Sequence, residues 1–363
     1  MAIIANFGSH DKWGRLAEQG GLVTKDGRPL WSAMLRDRAG RWYNLGRTDW
    51  AHGGQWRSEG MVYEHVTVLE LREAISEEIL VAAGVPRTGL LQALLRPLLW
   101  FPAHRAATVA AEFDRRVALN GLPDAMRWLL STWVDDTRVY GLEHMPTSGP
   151  LVIASNHPGS YDLLAIGSCL GRDDLKITAS DVPILRQLRA TAPHLVYTHL
   201  GDDSSQRISA ARESVRHLRT GGSLLVFAAG EVEPDPAVLP GAAESLQKWS
   251  GSPAWLLRQV PDAVLVVTIA SHVLAPSALQ GPLTRLRKER KRKQFLAEMT
   301  QIGQQVLFGR RFGLVPEVRF GEPLSVADLG GGRDLVAARS VIVAQAEQLL
   351  AETQAALPRL AGE

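Results

Sequence analysis

The stretch LVIASNHPGSYDLLAIG, residues 151–167, decides the fold. Its opening, with Pro150 in front (PLVIAS), is an apolar run of strand length, and SYDLLAIGSCLG (160–171) is a helical segment with Gly171 just past its end. Ser160 is the expected N-cap. Working outward, SLLVFAAG (223–230) and AVLVVTIA (263–270) are again continuous apolar runs alternating with helical segments. Such runs are buried on both faces, so the pattern predicts an α/β fold: a mixed, largely parallel central sheet flanked by helices.

Ahead of the sheet, Leu91, Leu94, Leu95 and Leu98 recur at helix spacing; AHRAATVAAEFDRRVALNG then ends at Gly121, and PDAMRWLLSTWV follows. The spacing predicts three helices over 88–134. Residues 1 to about 80 carry Trp13, Trp31, Trp42, Trp50 and Trp56 among many glycines, with strand-like PLWSAML and RWYNLG around the turn RDRAG. They read as small strands and loops, a small core or an interfacial anchor, with no function assigned. The expected organisation is a Trp/Gly-rich region at 1–85, a helical segment at 86–135, an α/β domain at 136–330 and a C-terminal helix at 331–363.

A chain of 363 residues with 45% hydrophobic and 21% charged residues can bury a substantial core. Its net charge of +2 does not suggest a nucleic-acid partner. The single Cys169 rules out an internal disulfide and a thiolate zinc site, and it fits a reducing, cytoplasmic setting. The N-terminus lacks the basic-then-apolar pattern of a leader. The longest apolar windows, 90–101 and 263–275, fall short of the roughly 18–20 residues that span a bilayer, so membrane contact is expected to be peripheral.

His157 and Asp162 are the candidate chemical pair. In a regular helix, positions five apart point about 140° away from each other. Pro158 and Gly159 remove that objection, because a turn through them can carry the imidazole back over the first helical turn. A carboxylate there fixes the tautomer and stabilises the imidazolium, leaving the other nitrogen to take a proton from a hydroxyl. Spacing alone favours the plainer account, an Asp complementing the helix dipole beside a loop His. No G-x-S-x-G elbow, H-E-x-x-H zinc motif or Walker loop is present.

NHPGSYD resembles the N-H-x4-D block of the glycerol-phosphate and lysophospholipid acyltransferase superfamily. The resemblance continues in order over roughly 137–326. VYGLEHMP resembles the family's G-x-E-x-x-P turn and SLLVFAAGEVEPDP its strand and third block. LPGAAESL, VLVVTIA and VRFGEPL resemble its G-A helix start, core strand and closing G-x-P strand. The resemblance implies transfer of a fatty acyl group from an acyl-CoA or acyl-carrier-protein thioester to a hydroxyl of a lysophospholipid or related glycerolipid. His157 would be the base and Asp162 its orienting partner, with no metal or other cofactor. It also implies substrate contacts from Asn156, Gly159, Ser160, the turn Phe227, Ala228, Ala229, Gly230, Glu231, and Arg207.

The third block departs from the family's F-P-E-G-T-R, lacking its acid and its Arg; Glu231 and Glu233 either replace the acid or are exposed loop charges. At the second block, Asp202 and Asp203 stand where a basic group is expected, leaving Lys176, Arg186, Arg189 and Arg207 as candidates from neighbouring elements. These departures motivate two alternatives, a catalytically lapsed lipid- or acyl-binding protein and a thioester hydrolase.

Two segments are candidate contacts to an anionic membrane surface. RLRKERKRK (285–293) holds seven basic residues and leads into a helix where Phe295, Met299, Ile302 and Val306 recur at helix spacing. LLQALLRPLLWFPAHR suits a helix lying in the interface or one packed in a core. The expected location is the cytoplasm, at the inner face of the membrane.

Overall fold

The computed structural model describes residues 34–36, 42–44, 66–82, 85, 89–198, 204–281, 284 and 289–356. The expectations for Trp13, Trp31, Trp50, Trp56, Asp202, Asp203 and the basic residues at 285, 287 and 288 lie outside them. The chain divides into two units, Met1–His65 and Val66–Glu363. Within the first, β1 (Met34–Arg36) and β2 (Trp42–Asn44) pair antiparallel, Leu35 opposite Tyr43.

The larger unit opens with α1 (Val68–Ala82), a helix in a segment expected to hold strands and loops. Thr67 and Glu70 close a capping box: the Glu70 carboxylate accepts from the Thr67 N–H at 2.8 Å and the Thr67 hydroxyl accepts from the Glu70 N–H at 3.2 Å. Leu71 and Ile75 then pack with Ala103, Ala107 and Leu188. The three helices expected next are present. They are α2 (Leu90–Leu95), continued by a 3-10 turn at Arg96–Leu99, then α3 (Trp100–Asn120) and α4 (Leu122–Trp133), with Gly121 between the last two.

The sheet follows as β3 (Arg138–Tyr140), β4 (Leu151–Ser155), helix α5 (Ser160–Leu170), β5 (Leu175–Ser180), α6 (Pro183–Gln187), β6 (Leu195–Thr198), α7 (Ser204–Arg219) and β7 (Ser223–Phe227). Helices α8 (Ala242–Leu246) and α9 (Ser252–Gln259) lead to β8 (Val264–Ser271); α10 (Pro276–Leu279), α11 (Arg290–Phe308), β9 (Glu317–Phe320) and α12 (Leu335–Ala355) complete the chain. The spatial order is β3-β9-β8-β4-β7-β5-β6, with β9 antiparallel to β8 and every other neighbouring pair parallel. This is the mixed, largely parallel α/β sheet read from the sequence.

Every residue of β4 is buried, as the continuous apolar run requires. Val152, Ala154, Leu224, Val226, Leu265 and Val267 pack on one face against Trp249, Leu257 and the α12 residues Ile342 and Leu349. Each Val, Leu or Ile among them contributes roughly 1.5–3 kcal/mol by leaving water. Against α5, Gly167 lets α4 approach closely, since a Cβ there would collide with the Met126 sulfur. Central β4 pairs in parallel with β7 and β8, placing Ser155 opposite Phe227 on one side and Thr268 on the other. The loops leaving these three strands therefore emerge together at their carboxyl ends, where open α/β sheets form their sites.

Candidate active site

The turn after β4 is pinned on both sides before any chemistry is considered. The Asn156 amide donates to the Ala270 carbonyl at 2.9 Å and accepts from the Ala270 N–H at 2.8 Å, fastening the turn to β8. On the other side, His157 donates its N–H to Glu233 Oε2 at 3.0 Å, and its carbonyl accepts from the Glu233 N–H at 2.8 Å. Gly159 is the N-cap of α5 at φ 155°, a backbone region open essentially to glycine. Ser160, the expected N-cap, is instead the first helical residue; with no side chain at the cap, the cap N–H is satisfied by Asp162 Oδ2 at 3.2 Å.

This path closes the gap between the candidate pair. His157 Nδ1 lies 2.7 Å from Asp162 Oδ2, while the fully buried Asp162 also accepts from the Leu163 N–H through Oδ1. With Nδ1–H donating to the carboxylate, Nε2 carries the lone pair. The ring stacks on Phe227, centroids 4.1 Å apart and planes 26° apart, and about a quarter of the side chain stays accessible at 25%. Burial disfavours the imidazolium, but Asp162, and behind it Glu298 and Glu233, outweigh it and hold the His157 pKa above its ordinary value.

Of the two acids in the third block, Glu233 is buried and Glu231 is not. Glu233 Oε1 accepts from Ser245 Oγ and Trp249 Nε1, both at 3.0 Å, while Oε2 serves the His157 N–H. Burial raises its pKa despite these donors. Glu231 pairs with Lys248 at 3.2 Å and Lys291 at 2.6 Å, and the bond to Lys291 leads in holding its carboxyl below the usual range. The turn itself is internally bonded: Ala228 N–H donates to the Ser155 carbonyl and Gly230 N–H to the Phe227 carbonyl, each at 3.0 Å, with Gly230 at φ 68° and Ala229 partly buried. Those two amides are not donors for a ligand.

The basic candidates are placed elsewhere. Lys176 is paired with Glu213 and Arg186 with Asp181, and Arg207 lies exposed in the first turns of α7, which connects edge strand β6 to β7. Lys248 and Lys291 are the cations brought to the third-block turn. Among the described residues, no group of three or more His, Cys, Asp or Glu is arranged to hold a metal ion.

Residues outside the sequence motifs complete the frame. Asp235, fully buried, accepts from the N–H groups of Ala237, His272, Val273 and Leu274 at 2.8–3.0 Å, joining the loops after β7 and β8. From α11, Glu298 Oε1 accepts the Ser160 N–H and hydroxyl, each at 2.5 Å, and burial raises its pKa.

A family model described as Acyltransferase matches residues 136–270, which run from the residues before β3 through nearly all of β8. This stretch is similar to that family. The matched residues include His157, Asp162 and the third-block turn, whereas α11 and α12 lie beyond them. Among solved structures, the 1-acyl-sn-glycerophosphate (LPA) acyltransferase PlsC from Thermotoga maritima aligns with 16% identity over 80% of this chain and 96% of its own, at a TM-score of 0.38. No curated protein matches the chain.

Proposed function

We propose that the acyltransferase domain moves a fatty acyl group from acyl-CoA or acyl-carrier protein to a hydroxyl of a lysophospholipid or related glycerolipid. The observation that carries this reading is the 2.7 Å bond from His157 Nδ1 to a fully buried carboxylate, with Nε2 left for a substrate at the mouth of the parallel sheet. Nε2 takes the hydroxyl proton as the oxygen attacks the thioester carbonyl. The tetrahedral intermediate then expels the thiolate, which receives the proton back from the imidazolium. Asp162 stabilises the imidazolium in between, and no acyl-enzyme forms.

Peripheral docking on an anionic membrane belongs to the same reading. Helix α2 and its 3-10 extension bury none of their residues, and Leu90, Leu91, Leu94, Leu98, Trp100 and Phe101 are all exposed. Phe295 and Met299 are exposed on α11, beside Arg290, Lys291 and Arg292. Aromatic and leucine side chains next to cations suit an interfacial helix. Among the described residues, no helix is long and apolar enough to cross a membrane.

The test is isotope-labelled acyl-CoA incubated with a phospholipid extract and either the wild type or His157→Ala, with the lipids read by mass spectrometry. A labelled diacyl lipid formed by the wild type, and at least about a hundredfold more slowly by the variant, is the expected result. Labelled free fatty acid alone would make the protein a hydrolase. Acyl-CoA retained without turnover, with acyl-carrier protein also inert, would make it a binding protein.

A further inference from the structure

Helix α11 buries four polar side chains, Gln294, Glu298, Gln301 and Gln305. Lipid docking on its outer face gives them no task, but their partners do. Four residues separate His157 from Asp162, and α11 meets every one. Gln294 Nε2 donates to the Pro158 carbonyl at 2.9 Å and to the Glu233 carbonyl at 2.7 Å. Gly159 lies against Glu298, where an added Cβ would sit 3.2 Å from Oε1. Ser160 donates twice to that same oxygen at 2.5 Å, and Tyr161 donates its hydroxyl to Gln305. Gln301 extends the row, accepting from the Ala275 N–H at 2.8 Å and donating to the Val273 carbonyl at 3.1 Å. Steps of four, three and four residues put all these side chains on one stripe of one helix.

We infer that Glu298 and Gln294 are positioning residues for the His157–Asp162 pair: α11 sets the path of the spacer and so the direction in which the imidazole presents Nε2. A Pro-Gly spacer does not hold its shape unaided, and small misplacement of a base costs rate heavily. Glu298 adds a second effect. The carboxylates facing the imidazole are Asp162 from α5, Glu233 from the loop after β7 and Glu298 from α11, and each favours the imidazolium. A role in packing alone would call for the shape of this side chain and not its charge.

The effect on turnover rests on His157 being the base; the effect on the imidazole does not. The test therefore uses two readouts on the full chain. NMR of labelled histidine nitrogens gives the His157 titration midpoint and tautomer, and acyl transfer from acyl-CoA to a lysophospholipid in anionic vesicles gives kcat and KM against pH. Glu298→Gln is expected to move the midpoint to lower pH, with the acid limb of kcat/KM following it. Glu298→Ala and Gln294→Ala are expected to lower plateau kcat about 10- to 100-fold with little change in KM. The Gln variant recovers most of the Glu298→Ala loss, since its amide oxygen still accepts from Ser160. Gln294→Ala leaves the midpoint in place because it removes no charge.

A His157 midpoint unmoved in Glu298→Gln, or Ala variants with wild-type kcat, would overturn the proposal. Because Glu298→Gln is nearly isosteric, it keeps the test decisive where an Ala variant fails to fold. If His157→Ala retains full transfer, the base assignment falls, and the titration midpoint alone still decides whether α11 acts on the imidazole.

Discussion

His157 faces three acids, and under the proposed mechanism activity and stability depend on its charge in opposite senses. Its folded pKa is raised, so the ion pair contributes stability that is fully present below the unfolded value of about 6.5 and is lost as pH rises through the folded value. Glu233 and Glu298, also raised, act in the same sense: their stabilising protonated forms are lost as pH climbs from the unfolded carboxylate range through their folded values. With His157 as the proposed base, turnover requires the neutral imidazole and so rises over the interval in which stability falls. Thermal melts and kcat/KM collected across pH 5–9 are expected to cross in this way, and His157→Gln is expected to remove its share of the stability slope. Matching trends in the two quantities would speak against an ionised pair. The pair is legible from sequence through the resemblance of NHPGSYD to the N-H-x4-D block, since spacing alone leaves a dipole-complementing Asp beside a loop His as an alternative. Glu233 is not legible: a carboxylate two residues past a glycine turn looks the same whether it faces water or Trp249. Its backbone exchange with His157 exists only once β4 and β7 lie side by side.

Helix α11 is built against the usual rule for elements on a protein surface. The apolar series Phe295, Met299, Ile302 and Val306 shows the helix in the sequence but is not its buried face: Phe295 is 47% and Met299 41% exposed, and Ile302 and Val306 are half-buried. The inward face is polar, since the backbone groups it meets are the unpaired ends of loops that need donors and acceptors. Periodicity finds the helix, but the polar stripe that faces inward carries no apolar signal by which to read it. Gln301→Ala, which strips the Ala275 N–H and the Val273 carbonyl of a buried partner, is expected to destabilise by about 2–4 kcal/mol in urea unfolding. Met299→Ser is expected to stay within about 0.5 kcal/mol of wild type. Equal losses would mean that the apolar face is covered in the folded protein. Helix α1 is the opposite case: Thr67-Val-Leu-Glu70 is a readable capping box, but the Trp- and Gly-rich composition before it suggests that loops continue.

At the scale of the whole molecule, the proposed membrane docking rests on two elements, the apolar area of the exposed α2 leucines with Phe295 and Met299 of α11, and the positive charge at the start of α11. Flotation with vesicles rich in anionic lipid is expected to recover the protein at low salt and progressively less above about 0.15 M, where the Debye length is about 8 Å. Replacing Arg290, Lys291, Arg292 and Lys293 by Gln is expected to weaken binding about as much as high salt does. Salt-independent flotation would assign the attachment to the apolar side chains alone. The sheet order was readable only as a class, because nothing in the local sequence says that β9 returns antiparallel between β3 and β8. That return, and the helix before it, also set the order in which the site can be assembled. His157 and Asp162 are five residues apart and leave the ribosome together, but Ser160 waits for Glu298, 138 residues later. Contacts that distant in sequence form late and slow folding. A nascent chain that has reached residue 270 therefore holds every residue that the family model matches, and none of the α11 side chains that brace the turn between His157 and Asp162.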